Sequence, residues 1–64
     1  MKQIVKITHN YGTYAVYCST GENPWLFPYR LYCIEGRKKW YINEYDSLTD
    51  ATLECLAYAM TGGI

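Results

Sequence analysis

Between Leu48 and Met60 the chain carries no glycine or proline, and that run, LTDATLECLAYAM, constrains the fold more than any other stretch. It predicts a helix within Tyr45 to Gly63, around which the rest must fold. Ser47 is placed to cap the first turn, because its hydroxyl oxygen can accept from backbone N–H groups that have no carbonyl partner, and Asp50 three residues on can answer back. Asp50 also suits the positive end of the helix dipole. At the far end Gly62 and Gly63 supply the left-handed conformation that closes helices.

The faces of this helix are uneven. Leu48, Cys55, Leu56 and Ala59 fall together, Ala51 and Tyr58 flank them on one side, and Leu53 and Met60 on the other. Only Asp50 and Glu54 mark a wet face. The apolar arc spans about 220°, twice what a helix on a single core needs. Part of it therefore calls for a further cover, either a loop of the same chain or a second copy forming a homodimer through the helix.

A chain of 64 residues has room for one small domain, 1–64, and one core. Domains this short often need a staple, and here the material at hand is aromatic: eight tyrosines, two tryptophans and one phenylalanine. The formal net charge is zero, so the protein as a whole neither attracts nucleic acid nor imitates it with massed carboxylates. Cys18, Cys33 and Cys55 form an odd set with no short spacing, and the start MKQIVKITHN lacks the apolar core of an export signal. Free thiols in a reducing, cytoplasmic setting are expected. No apolar run approaches the roughly 20 residues of a membrane span.

Ahead of the helix, the chain reads as strands. Lys2 to Thr8 alternates, with Val5 and Ile7 on one face and Ile4, Lys6 and Thr8 on the other, although this strand is the marginal one. His9-Asn10-Tyr11-Gly12 is a turn, and Thr13 to Cys18 pairs back, with Tyr14, Val16 and Cys18 opposed to Ala15 and Tyr17. Tyr29 to Ile34 and Lys39 to Tyr45 form a second hairpin about Glu35-Gly36-Arg37-Lys38. The expected fold is α+β, a three- or four-stranded mostly antiparallel sheet with one C-terminal helix packed on one face.

Two features exceed what such a core uses. Trp25, Leu26 and Phe27 stand between Pro24 and Pro28 as a stiff apolar tip, which either folds over an open end of the core or anchors a partner. Several of Tyr14, Tyr17, Tyr32, Tyr41 and Tyr45 must lie on the second face of the sheet or at its rim. Tyrosine gives wide contact area with few torsions to freeze, as binding surfaces require, and it is also a good strand former.

Catalytic chemistry finds little support. His9, Cys18, Cys33 and Cys55 lack the paired spacing of a zinc site, so buried structural thiols and a turn histidine are expected, with no metal and no cofactor. Nothing constrains a thiol, His9 and Asp46 or Asp50 to meet as a hydrolase, and a chain this short leaves little room for a pocket of roughly 300 Å³. There is no P-loop, dinucleotide fingerprint or metalloprotease motif. Arg37, Lys38 and Lys39 run into Trp40 and Tyr41, with Arg30 on the partner strand, and cations beside aromatics can hold phosphates while stacking on bases. Equally, lysines on an exposed tip discourage stray strand pairing.

The order of sheet then helix, with Trp40-x-Ile42 leading to Ser47-Leu48-x-Asp50-Ala51, resembles the arm-binding domains of phage integrases, which lay such a sheet into the major groove. The neutral charge balance makes nucleic acid the lesser expectation. In size and organisation the chain, which starts at Met1, more closely resembles the small proteins with which bacteriophages block host machinery, anti-CRISPR proteins among them. That resemblance implies a non-enzymatic, protein-binding inhibitor that occludes a site on a larger protein or ribonucleoprotein complex of the host. Trp25, Phe27, Tyr32, Trp40 and Tyr41 are the expected anchors, with Arg37 and Lys38 at the rim. The alternative is a DNA-binding or regulatory module using the basic aromatic hairpin.

Overall fold

The structure is a computed structural model that describes residues 1–20 and 26–63. Four strands, β1 (Lys2–His9), β2 (Gly12–Cys18), β3 (Tyr29–Glu35) and β4 (Lys38–Tyr45), precede one helix, α1 (Leu48–Thr61). They form a single antiparallel sheet in the order β1-β2-β3-β4, so each strand pairs with its neighbour in sequence. β1 is a full member, which settles the choice between three strands and four. The shortest dimension is 15 Å, room for one layer of sheet and one of helix.

Both hairpins turn where glycine permits it. At the first, Asn10 and Tyr11 keep negative φ and Gly12 takes φ 114°. At the second, Gly36 at φ 61° is the first of two turn residues between the paired Glu35 and Lys38, the position where a type II′ turn needs it. Both tips lie at the same end of the sheet. The helix runs back from the opposite end and finishes beside the first tip, where the Tyr11 N–H donates to the Ala59 carbonyl at 3.0 Å.

Ser47 caps α1 as its sequence predicts, its Oγ accepting from the Asp50 N–H at 3.4 Å. Gly62, left-handed at φ 76°, ends the helix and donates to the Tyr58 carbonyl at 2.8 Å. The core lies between α1 and one sheet face, with Tyr14, Val16 and Leu31 from the sheet meeting Ala51, Cys55 and Ala59 from the helix. Val5, Ile7, Tyr29, Cys33, Ile42, Tyr45 and Tyr58 pack around them.

One expectation about faces needs correction. Leu48 and Leu56 do not join Cys55 and Ala59 in the core; they are exposed, as are Leu53 and Met60. The sheet already supplies the bulky side chains, so the helix docks by its narrowest stripe, Ala51, Cys55 and Ala59, which lets the two layers close up. Of the five tyrosines, several of which are expected on the second face or at its rim, Tyr17, Tyr32 and Tyr41 lie there, whereas Tyr14 and Tyr45 lie on the core side. Tyr14 is only 8% exposed and its ring lies 5.6 Å from that of Tyr58, while Tyr45 packs against the core.

Irregularities in the edge strands explain part of this. The pairing of β4 skips a residue, Leu31 opposing Asn43 and Tyr32 opposing Tyr41, so Ile42 is an inserted bulge residue. Beyond it the alternation changes phase: Ile42 and Tyr45, three apart, both reach the core. A similar shift lies between Gln3 and Val5 on β1, leaving Ile4 outside the pairing.

Candidate functional site

α1 covers one face of the sheet, and among the described residues no element covers the other. On that open face the register aligns Lys6, Ala15, Tyr32 and Tyr41 in one row across the four strands, and Gln3, Tyr17, Arg30 and Glu44 in another. Tyr17, Tyr32 and Tyr41 form a contiguous aromatic row. The Tyr17 and Tyr32 rings meet edge to face at 5.3 Å, and those of Tyr32 and Tyr41 at 5.9 Å. Tyr17 and Tyr32 are diagonal neighbours across β2 and β3, within reach of long aromatic side chains.

Lys39 crosses this row. Its Nζ lies 4.8 Å from the centre of the Tyr17 ring and 5.7 Å from that of Tyr32, where the negative ring faces attract a cation. Ala15, in register with Tyr32 and two residues from Tyr17, is fully buried without belonging to the core cluster. Its neighbours on the open face supply the cover.

The hydroxyls are not equivalent. Tyr17 donates to Gln3 Oε1 at 3.2 Å, and Tyr41 donates to Glu44 Oε1 at 3.1 Å. Loss of water around the group, and then the Glu44 acceptor, raise the Tyr41 phenol above its usual value, so it remains a donor throughout the neutral range. The Tyr32 hydroxyl, between them, makes no hydrogen bond among the described residues.

The residues expected to bind a partner are only partly brought together. Tyr32 and Tyr41 are adjacent at the middle of the open face. Arg37 and Lys38 are exposed at the tip of the second hairpin, and Lys38, in register with Glu35, falls on the helix side of the sheet with Trp40. Trp40, 52% exposed, is in register with Cys33 and Tyr14, which places it on the helix side of the sheet at the β4 edge, away from Tyr41. Phe27 sits beyond the other end of the sheet, just before β3. It is 39% exposed and Leu26 is 90% exposed, so this part of the proline-framed tip does not fill the core. Trp25 and Pro24 lie outside the described residues.

Tyr17 and Lys39 are central members that the sequence does not place among the expected anchors. Alternation along β2 already separates Tyr17 from Tyr14, but which strands lie side by side is not written in either strand. Lys39 directly follows Arg37 and Lys38, so in sequence it reads as part of the hairpin tip.

Possible catalytic groups are scattered. His9 is near the first hairpin tip, beside the helix C-terminus, whereas Asp46 and Asp50 are at the helix start, a distance of about 15 Å or more along its axis. Cys18, Cys33 and Cys55 are all free thiols, and Cys55 is buried, which pushes its pKa up and leaves it a poor nucleophile. Among the described residues no three His, Cys, Asp or Glu side chains converge as metal ligands. A hollow of about 340 Å³ does exist, contrary to expectation from length, lined by Tyr45, Asp50, Leu53 and Glu54 beside the helix start. It is open and contains neither thiol nor imidazole. No described helix is long and apolar enough to cross a membrane.

Fold and face together define a two-layer α+β domain that presents an aromatic, cationic sheet surface. No family model, no curated protein and no solved structure matches the chain.

Proposed function

We propose that this chain is a non-enzymatic protein-binding module that docks through the open face of its sheet. The observation that carries this reading is the row of Tyr17, Tyr32 and Tyr41, with Tyr32 in contact with the ring on either side, on a face that no described element covers. Rings already ordered by one another lose little further freedom on binding, which is why tyrosine dominates contact surfaces. The finer form of the proposal is an inhibitor of the phage anti-host type, acting by occlusion on a larger host protein or ribonucleoprotein complex in the cytoplasm. A flat face about four strands wide can cover a site without chemistry of its own.

The test is capture of partners from host lysate by the wild-type protein and by a variant carrying Tyr32→Ala and Tyr41→Ala. Both rings face away from the core, so the expected fall in melting temperature is no more than the roughly 4–8 °C that about 1 kcal/mol costs a domain of this size. Capture should be lost. Undiminished capture by the folded variant would sink the proposal.

DNA binding is the second reading. It is favoured by Lys6, Arg30 and Lys39 sharing the open face, with Arg37 and Lys38 exposed at the adjoining hairpin tip. Replacing Arg37 and Lys38 by Gln should then lower the salt slope of duplex binding by about one for each phosphate that is no longer neutralised. Absence of duplex binding at low salt disposes of it.

A further inference from the structure

The net charge of zero hides a segregation. On the open face the register places two lysines, Lys6 and Lys39, while the single described carboxylate there, Glu44, already accepts from Tyr41. Three of the other acidic residues, Asp46, Asp50 and Glu54, cluster where the helix begins, outside this face. A protein that is neutral overall thus presents one surface with excess positive charge, and a complementary partner is negative.

The form of that partner follows from the rings. A nucleobase needs an open aromatic face to stack on, but the ring faces of Tyr17 and Tyr32 are approached by Lys39 and by the edges of neighbouring tyrosines. What the centre of the row offers is an ammonium, held in place by two rings, beside a phenol hydroxyl that finds no acceptor among the described residues. Those are the two groups that a carboxylate side chain satisfies.

Resting on the protein-binding reading above, we propose that the docked surface is acidic, and that one of its carboxylates sits at the centre of the open face, paired with Lys39 and accepting a hydrogen bond from the Tyr32 hydroxyl. The surrounding rings exclude water from this pair and strengthen it. Lys6, in the same row, extends the recognition toward the β1 edge.

Backbone-amide magnetic resonance of isotope-labelled protein, titrated with hexaglutamate and separately with a short oligothymidylate, tests this. Hexaglutamate should give saturable shifts confined to the rows containing Lys6, Ala15, Tyr32 and Lys39, and they should weaken as salt rises and the Debye length shrinks to about 10 Å or less. Lys39→Gln and Tyr32→Phe should each weaken hexaglutamate binding about fivefold or more, while Leu56→Gln, on the exposed helix face, should leave it unchanged. The same spectra establish that each variant is folded.

The proposal is overturned if hexaglutamate leaves these signals in place at low salt, if the shifts lie on the helix, or if Tyr32→Phe binds as wild type. Oligothymidylate binding that survives Tyr32→Phe also overturns it, in favour of base stacking. Sedimentation of the free protein supplies a further check: concentration-dependent association abolished by Lys39→Gln would make the acidic helix start of a second copy the occupant and overturn the separate partner. Loss of hexaglutamate binding with tyrosine-dependent lysate capture intact removes only the acidic grip, whereas capture indifferent to the tyrosines removes the protein-docking reading beneath it.

Discussion

Leu31 and Cys55 show how single side chains are used in so small a core. Leu31 is fully buried between Val16 and the helix stripe, so Leu31→Ala should cost about 2–5 kcal/mol. A domain of this length holds only about 3–10 kcal/mol in all, so the variant should be partly unfolded at 25 °C, readable as a large fall in the urea midpoint. Cys55 makes a chemical prediction: maleimide should label the half-buried Cys18 and Cys33 first and reach Cys55 only when denaturant is added. Burial raises the pKa values of Cys55, Tyr14 and Tyr45, favouring their neutral forms. Each therefore holds its proton more tightly folded than unfolded. Stability is full below the usual thiol value of 9.0 and declines as pH rises past it and past the usual phenol value of 10.0 toward the folded values. Urea midpoints measured from neutral to strongly alkaline pH should fall accordingly; a rise would contradict the assigned burial.

Among the elements, the helix end and the sheet edges carry the clearest design. The left-handed backbone of Gly62 would disfavour any other residue there, and an added Cβ would come within 2.9 Å of the Tyr11 ring. Gly62→Ala should therefore destabilise by about 1 kcal/mol or more, and hydrogen exchange should show the Tyr11 amide, which donates to Ala59, losing protection first. Both edge strands share a defence. β1 carries Lys2, Lys6 and the irregularity at Ile4, and β4 carries Lys38, Lys39 and the bulge at Ile42. Lysines and bulges spoil the regular ladder that an added strand would need. Docking by strand addition is disfavoured for that reason, which leaves the faces.

At the scale of the molecule, two surfaces compete for a partner. One is the open sheet face; the other is the stripe of Leu53, Leu56 and Met60 on α1, spaced at i, i+3 and i+7 and exposed throughout. A homodimer through the helix would use the second. Docking through the sheet makes the two separable: Leu53→Glu with Leu56→Glu should leave partner capture unchanged. In sedimentation, association that grows with concentration and disappears in this double variant is the signature of the helix-mediated dimer. Thinness of the protein underlies both possibilities, since a two-layer structure 15 Å deep has an outside on each layer.

Much of the architecture was legible locally. The glycines at 12 and 36 marked the hairpins, Ser47 and Gly62 bracketed the helix, and alternation separated Tyr14 from Tyr17. The candidate site was legible only in part. Tyr32 and Tyr41 meet as expected of a shared surface, but Trp40 lies on the other side of the sheet, and Lys39 belongs to the rings rather than to the tip. Two decisions were tertiary. Local pattern records which side chains are apolar but not their volume relative to the opposing layer, and it was this volume that turned Ala51, Cys55 and Ala59 inward in place of Leu48 and Leu56. The bulge at Ile42 shifted the phase of β4, so that Ile42 and Tyr45 face the helix while Tyr41 faces out. Amino-acid order alone determined the elements and their turns, because those depend on backbone preferences a few residues long. Only packing decided which way each element faces, because that depends on groups distant in sequence competing for the same space.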